Sequence, residues 1–149
     1  MSILFLNGGP NKQGNTASLA AVLLKDKAYE QLNLTDYTIG AYGQHLPGDG
    51  LDTVIAAMEK ADTLVLGSPV YWHNLCGSVR NLLDRFYGRM ENGGLSGRRL
   101  YLIFQGAAPE KWMLEAGEYT IRRFAALYGM NYGGMATNRA EAEQLSKTL

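Results

Sequence analysis

Short apolar runs alternate five times with longer segments of helical periodicity, and this alternation constrains the fold more than any other feature. In the longer segments hydrophobic residues recur at intervals of three and four, which is typical of amphipathic helices. Strands that are apolar almost throughout and alternate with helices indicate a parallel sheet covered on both faces. The apolar runs, each predicted to form a strand, span residues 3–6, 29–34, 63–68, 98–106 and 130–136.

The predicted helices place the connections that matter for function. Helices are expected from about Asn15, from a cap at Asp49, across 75–86, from Glu110 to about Tyr128, and in the polar tail from Asn138. We expect residues 1–149 to form one α/β domain. Two strand orders are common for such a sheet, the flavodoxin-like order and a half-Rossmann order, and in both the ligand binds at the carboxyl ends of the strands. The loops of interest are therefore 7–16, 67–76 and 105–112.

Charge and cysteine content exclude several classes of function. Lysine and arginine number 14, as do aspartate and glutamate. A chain without net charge is a poor candidate for general binding to nucleic acid or to anionic membranes. The one cysteine, Cys76, cannot by itself build a cysteine zinc site or hold an iron–sulfur cluster, so no metal site is predicted. The segment "MSILFLNGG" lacks a basic leader and is too short for a membrane span, which predicts a cytoplasmic protein.

The first loop contains "GPNKQGNT" (9–16), which supports several interpretations. A triphosphate loop would need a lysine where Asn15 stands. A dinucleotide fingerprint fails because the glycines have the wrong spacing. A site for one phosphate fits, since a helix N-terminus offers free N–H groups and partial positive charge without a lysine. The loop alone is equally consistent with a plain turn in which Asn15 or Ser18 caps the helix.

The other two loops favour a flat ligand. In "GSPVYWHN" (67–74), Tyr71 and Trp72 follow the third strand, and adjacent aromatic residues in such a loop offer stacking faces. In "FQGAAPEKW" (104–112), Gly106 has no side chain, so a ligand ring can come close to the backbone. Trp112 is either a lid or a core residue, and a core or interface position is favoured. A phosphate loop beside an aromatic loop predicts a ligand with a phosphate tail and a flat head, and FMN has both.

At these residues the sequence resembles the NAD(P)H-dependent FMN reductases of the flavodoxin-like group. That family shows Gly-Ser-Pro-Arg, a spacer and Gly-Asn-Thr, where this chain has Gly8-Gly9-Pro10-Asn11 and then Gly14-Asn15-Thr16. The motif "GSPVYW" (67–72) is present unchanged, and "LLDRF" (82–86) follows it. The segments 95–107 and 128–135 are similar to the family's fourth and fifth strands. The resemblance implies a flavodoxin-like three-layer sandwich with strand order 2-1-3-4-5.

The resemblance also implies the residues of the cofactor site. Two family residues are absent, because Gly9 replaces a serine and Asn11 replaces an arginine, and Lys12 is the candidate to supply the missing charge. The single cysteine excludes the family's iron–sulfur branch. The implied FMN-binding residues are Gly9, Asn11, Gly14, Asn15 and Thr16 at the phosphate, Pro69, Val70, Tyr71 and Trp72 along the isoalloxazine ring, and Gln105 and Gly106 on its other side.

The implied activity is an FMN-dependent NAD(P)H oxidoreductase. Hydride would pass from the nicotinamide to FMN and then to a small acceptor such as a quinone, an azo compound or free flavin. The cofactor carries this chemistry, so no catalytic side chain is predicted. The resemblance also implies a homodimer, because members of this family usually form dimers. Two alternatives remain: a non-enzymatic flavodoxin-type electron carrier, and a binding or regulatory protein of the same fold that has lost FMN.

Overall fold

A computed structural model describes residues 1–149 and shows a parallel sheet with helices on both faces. Five of the six strands run parallel, and β4 is a short antiparallel addition to β3. The strands are β1 (Ile3–Asn7), β2 (Glu30–Asn33), β3 (Thr63–Tyr71), β4 (Asn74–Leu75), β5 (Arg99–Gln105) and β6 (Asn131–Ala136). The helices are α1 (Asn15–Leu23), α2 (Leu51–Lys60), α3 (Gly77–Arg85), α4 (Lys111–Leu127) and α5 (Arg139–Ser146).

The strand order is β2-β1-β3-β5-β6, with β4 attached to β3. Without β4, this is the predicted order 2-1-3-4-5, so the prediction of the fold class is confirmed. The sixth strand was not predicted. The chain reverses after Tyr71 through a two-residue turn, and the pairs Val70–Leu75 and Tyr71–Asn74 form a small hairpin at the end of β3.

Alternate residues of the central strands face two separate cores. Leu4 and Leu6 of β1 belong to the larger core, which is completed by α2, α3 and α4. Ile3 and Phe5 belong to the smaller one, which α1 and α5 cover. Because side chains of a strand alternate between faces, burial on both faces requires continuous apolar runs. The longest helix, α4, has 17 residues, and no helix combines the length and apolarity that crossing a membrane requires.

The long connection between β2 and α2 is fastened to α3 by one partly buried ion pair. Arg85 Nη1 lies 2.6 Å from Asp49 Oδ2, and each side chain is 18% exposed. Arg85 also donates to the carbonyl of Gly40. The N-cap of α2 is Gly50 rather than the predicted Asp49, because Asp49 lies one residue earlier and accepts from the backbone N–H of Leu51 at 3.0 Å.

We expect this pair to make stability fall in acid. The hydrogen bond from Arg85 lowers the pKa of Asp49 from 3.8 to about 2. A lowered pKa stabilises the fold above the unfolded value, and this stabilisation disappears as the pH falls from about 4 to about 2. Because the pair still touches solvent, its contribution is about 1–2 kcal/mol rather than the full linkage value.

Chemical denaturation of Asp49→Asn between pH 2 and pH 6 measures this effect. The variant is expected to lose about 1–2 kcal/mol of the wild-type decrease in unfolding free energy over this pH range. Asp52→Asn is the matched control, since Asp52 also pairs with an arginine, Arg89, but its side chain is 79% exposed. An unchanged acid limb in Asp49→Asn would contradict the assignment.

Candidate functional site

Three loops meet at the carboxyl ends of β1, β3 and β5 and enclose a cleft of about 310 Å³. Ligands in open parallel sheets bind at this edge, where the strand order reverses on either side of β1. Ten of the eleven predicted FMN-binding residues line the cleft. The lining residues are Gly9, Pro10, Asn11, Gly14, Asn15, Thr16, Pro69, Val70, Tyr71, Gln105, Gly106 and Ala107.

Trp72 is the predicted residue that does not line the cleft. Its side chain is 93% exposed at the tip of the β3–β4 hairpin, directly after Tyr71, which does line it. Pro10 and Ala107 were not predicted, although both stand within the motifs that were recognised. The individual roles of these residues in binding FMN remain predictions.

The first wall of the cleft is the loop between β1 and α1, and hydrogen bonds from the side chain of Asn7 hold this loop in its conformation. This side chain is fully buried at the end of β1. Its Nδ2 donates to the carbonyl of Asn11 and to Oδ1 of Asn33, each at 3.0 Å, and its Oδ1 accepts from the N–H of Gly9 at 3.0 Å. Asn7 therefore holds both ends of the turn. Sequence reasoning missed it, although a polar residue that closes an apolar strand was the available signal.

Helix α1 begins at this loop with its first N–H groups available to a ligand. Its N-cap is Gly14, which has no side chain to accept a hydrogen bond. Neither Asn15 nor Ser18 caps the helix, because Asn15 is its first residue and the hydroxyl of Ser18 donates to the carbonyl of Gly14. The first turn has no acidic residue. Unpaired N–H groups and the helix dipole together favour an anion at this position.

The donors at this end are all uncharged. Thr16 is 3% exposed, and its Oγ1 accepts from Gln105 Nε2 at 3.1 Å, so its own proton remains free for a ligand. Lys12, the candidate for the missing positive charge, lies 3.7 Å from Asp36 Oδ2 instead. No lysine, arginine or histidine lines the cleft. A phosphate here would rely on backbone and neutral side-chain donors.

The second wall of the cleft is the end of β3, including Pro69, Val70 and Tyr71. Buried polar contacts beneath the cleft hold it in place. Gly8 N donates to the carbonyl of Gly67 at 2.8 Å, which ties the first loop to β3. The carbonyl of Gly8 accepts from Ser78 Oγ at 2.8 Å and from Cys76 Sγ at 3.3 Å. Cys76 is buried, and its N–H donates to Ser68 Oγ. These bonds hold β1, β3 and the start of α3 at fixed separations.

The third wall of the cleft is the segment after β5, which packs closely against the end of β3. A Cβ on Gly106 would lie 3.1 Å from Cβ of Val70, so a larger residue at position 106 would require Val70 to shift. Pro69 and Gln105 are paired in the sheet and form the floor between the two loops. The two adjacent segments therefore present one surface against which a planar ring could lie.

A larger cavity, of about 840 Å³, lies at the opposite edge of the sheet beside Met1, Ala28 and Ala57. It stands at the amino ends of the strands, where this class of sheet does not bind its ligand. The smaller cleft is therefore the candidate functional site.

The fold and this cleft define a flavodoxin-like α/β protein with an open cleft at the uncapped start of its first helix. The sequence profile of the family described as "NADPH-dependent FMN reductase" matches residues 1–140. Because the match covers nearly the whole chain, the protein belongs to that family.

Individual relatives agree with this assignment. The chain is 34% identical over 112 residues to an iron–sulfur flavoprotein of Archaeoglobus fulgidus, covering 66% of this chain and 55% of the relative. It is 28% identical over 94 residues to a putative NAD(P)H-dependent FMN-containing oxidoreductase of Bacillus subtilis, covering 58% and 52%. The chain thus spans about half the length of these curated relatives.

A solved structure shares the fold over almost the full length of both chains. The Trp repressor binding protein from Bacillus subtilis superposes with a TM-score of 0.80 at 21% identity, covering 97% of this chain and 98% of that one.

The relative from Archaeoglobus fulgidus is an iron–sulfur flavoprotein, and the sequence excluded this chain from the iron–sulfur branch of the family because it has a single cysteine. The family relation therefore extends to that branch, whereas this chain has one cysteine and a cluster needs four ligands.

Proposed function

We propose that this protein is an FMN-dependent NAD(P)H oxidoreductase that delivers electrons to a small acceptor. The observation that carries the proposal is the uncapped start of α1, which faces the same cleft as the backbone of Pro69 and Gly106. Free N–H groups at one end of the cleft and a surface of small residues at the other match the two ends of FMN. Family membership and the FMN-containing relative support the same ligand.

The residues fit FMN as follows. The phosphate would accept from the N–H groups at the start of α1, from the amides of Asn11 and Asn15, and from the hydroxyl of Thr16. The ring would lie against the adjacent 69–71 and 105–107 segments. Tyr71 is half exposed, so its ring is free to adjust against a ligand.

Bound FMN would supply the redox chemistry, a two-electron transfer from reduced nicotinamide to the acceptor. The residues of this chain bind and orient the reactants around it. Gln105 combines two such tasks, because its side chain donates to the hydroxyl of Thr16 and the residue also lines the cleft. No acidic or basic side chain lines the cleft, which agrees with a protein that supplies position rather than proton transfer.

A flavin titration tests the proposal against its two alternatives. FMN is added to the purified protein, binding is followed by the visible spectrum, and NADPH or NADH is then added without oxygen. We expect micromolar binding and rapid loss of the visible flavin absorbance. Bound flavin that neither nicotinamide bleaches would indicate an electron carrier. Absence of binding would indicate a regulatory protein of the same fold and would overturn the proposal.

Thr16→Val is expected to weaken FMN binding, because the free hydroxyl proton is the only side-chain hydroxyl donor on the cleft's phosphate side. A hydrogen bond to a charged group contributes about 1.5–3 kcal/mol, so the dissociation constant should rise roughly tenfold or more. Isothermal titration measures the change. Lys12→Ala is the matched control, since Lys12 pairs with Asp36 and should leave the constant nearly unchanged. A larger effect in Lys12→Ala than in Thr16→Val would reverse these assignments.

We also propose that two copies associate through the groove between α3 and α4. Tyr87, Tyr119 and Leu127 are exposed there and line a cavity of about 370 Å³ with Arg80 and Arg123. Exposed aromatic and arginine side chains are enriched in protein interfaces. Sedimentation equilibrium measures the association, and a monomer at all concentrations would refute it.

A further inference from the structure

The lysines and arginines at the edge of the sheet that carries the cleft are all paired with carboxylates. Helices α1, α3, α4 and α5 begin near the carboxyl ends of β1, β3, β5 and β6, so their first turns and the preceding loops surround the cleft. Every lysine or arginine in these segments lies beside a carboxylate oxygen. The pairs are Lys12–Asp36 at 3.7 Å, Arg80–Asp84 at 3.3 Å, Lys111–Glu115 at 3.6 Å and Arg139–Glu143 at 3.0 Å.

The lysines and arginines without a carboxylate partner lie elsewhere in the fold. All but one stand at the ends of helices or at the start of β5, toward the amino edge of the sheet, and Arg123 lies in the second half of α4. Residues 34–59, which include the long connection to α2, contain no lysine or arginine. Unpaired positive charge is therefore displaced from the cleft. The residues at the amino edge are Lys25, Lys27, Lys60, Arg98, Arg99 and Lys147.

Glu110 is a carboxylate near the cleft that no cation neutralises. It is exposed in the loop that leads from Ala107, which lines the cleft, to the first residue of α4. Its Oε2 accepts from Trp112 Nε1 at 3.0 Å, and this uncharged donor leaves the negative charge intact. Trp112 is 55% exposed, so the core position favoured for it from the sequence is wrong. With the neighbouring cations paired, Glu110 makes this side of the cleft locally negative.

This distribution of charge bears on which reduced nicotinamide cofactor the protein uses. NADPH differs from NADH by one phosphate on the adenosine ribose, which adds about −1.5 to −2 charge at neutral pH. In dinucleotide-binding α/β proteins an arginine accommodates that phosphate, whereas a carboxylate binds the free ribose hydroxyl of NAD. A cleft of about 310 Å³ is too small to enclose a flavin and a whole dinucleotide. The adenosine half of the dinucleotide must therefore lie over the surrounding loops.

We propose that the protein selects NADH over NADPH, and that Glu110 is a specificity-determining residue. The additional phosphate of NADPH would meet no unpaired cation at this edge and would be repelled by the Glu110 carboxylate. The ribose hydroxyls of NADH are uncharged and can donate to a carboxylate. This inference rests on the proposed function, because it names the electron donor of the same site. It differs from the description of the family, in which NADPH is the donor.

Equilibrium binding tests this selection without turnover. The probes are the non-reactive 1,4,5,6-tetrahydro forms of NADH and NADPH, titrated calorimetrically into the FMN-loaded protein at pH 8, where histidine is uncharged. The NADPH form is expected to bind roughly threefold or more weakly at about 0.01 M salt, and this difference should narrow at about 0.5 M salt, because salt screens the repulsion. Tighter binding of the NADPH form at low salt would indicate an attracting cation and overturn the inference, as would an affinity ratio that salt does not change.

Variants of Glu110 assign the effect to its carboxylate. Glu110→Lys should shift the affinity ratio roughly five- to tenfold in favour of NADPH, because attraction replaces repulsion. Glu110→Gln, which keeps an oxygen to accept from Trp112, should shift the ratio in the same direction by about two- to threefold.

Glu91→Lys is the matched control for the charge reversal. Glu91 is also exposed, but it lies between α3 and β5, at the opposite edge of the sheet, so the ratio should stay within about twofold of the wild-type value. Equal shifts in Glu91→Lys and Glu110→Lys would show a general effect of net charge and would remove the assignment to Glu110.

The rate of flavin reduction separates this inference from the proposed function. In anaerobic stopped-flow measurements below saturation, NADH is expected to bleach bound FMN faster than an equal concentration of NADPH. Faster bleaching by NADPH would overturn the choice of donor and leave the proposed function intact. Failure of both nucleotides to bleach the bound flavin would instead refute the proposed function.

Discussion

Gly8→Ala is expected to destabilise the protein by at least about 3 kcal/mol and to abolish flavin binding. A Cβ at this position would lie 2.7 Å from the carbonyl oxygen of Gly67 and 2.5 Å from Cγ2 of Val79. The first of these atoms is backbone in a central strand and cannot move aside. Overpacking costs typically about 1–3 kcal/mol, and here the hydrogen bond from Gly8 N to Gly67 would be strained as well.

Chemical denaturation with a parallel FMN titration checks this expectation. Gly77→Ala is the matched control, because a Cβ there meets no atom within 4 Å. Gly77 is the first residue of α3, so alanine should be neutral or slightly stabilising there. Similar denaturation midpoints for the two variants would contradict the close approach of the first loop to β3.

Asn7→Ala should be nearly as damaging, with a loss of about 2–4 kcal/mol. The fully buried amide makes three hydrogen bonds, each contributing about 1 kcal/mol, and its removal leaves the N–H of Gly9 and the carbonyl of Asn11 without those partners. Because these two groups shape the 9–16 loop, which is proposed to hold the FMN phosphate, the dissociation constant for FMN should rise by roughly a hundredfold, the equivalent of about 2.7 kcal/mol.

The measurement is again denaturation together with calorimetric titration of FMN. Asn138→Ala provides the comparison, since Asn138 caps α5 by accepting from Glu141 N at 2.9 Å and lies outside the cleft. Loss of a cap costs about 1 kcal/mol and should leave FMN affinity unchanged. If both variants weakened flavin equally, Asn7 would have only a general structural role.

The sheet was predictable from the sequence because strands that are buried on both faces are apolar at nearly every position. Ile3 to Leu6 must all be apolar when adjacent residues face different cores. The cleft was predictable for a related reason, since carboxyl ends of parallel strands meet at one edge and the motifs after three strands therefore converge.

The missed features depend on contacts between residues distant in sequence. Asn7 carries no motif, and its importance appears only when Asn33 and the 9–11 turn surround it. The hairpin after β3 was invisible because tryptophan and histidine are not residues that signal such a turn. The sequence offered Lys12 as a phosphate ligand. In the structure its ammonium group lies beside the carboxylate of Asp36, a contact that the sequence does not reveal.

The uncharged lining of the cleft has a kinetic consequence. Charged clefts attract ions over a distance and accelerate their encounter in a manner that falls steeply with ionic strength. Here the chain has no net charge, and Lys12 of the 9–16 loop lies beside the carboxylate of Asp36. Flavin should consequently arrive by unassisted diffusion, at a rate that changes little between dilute buffer and concentrated salt.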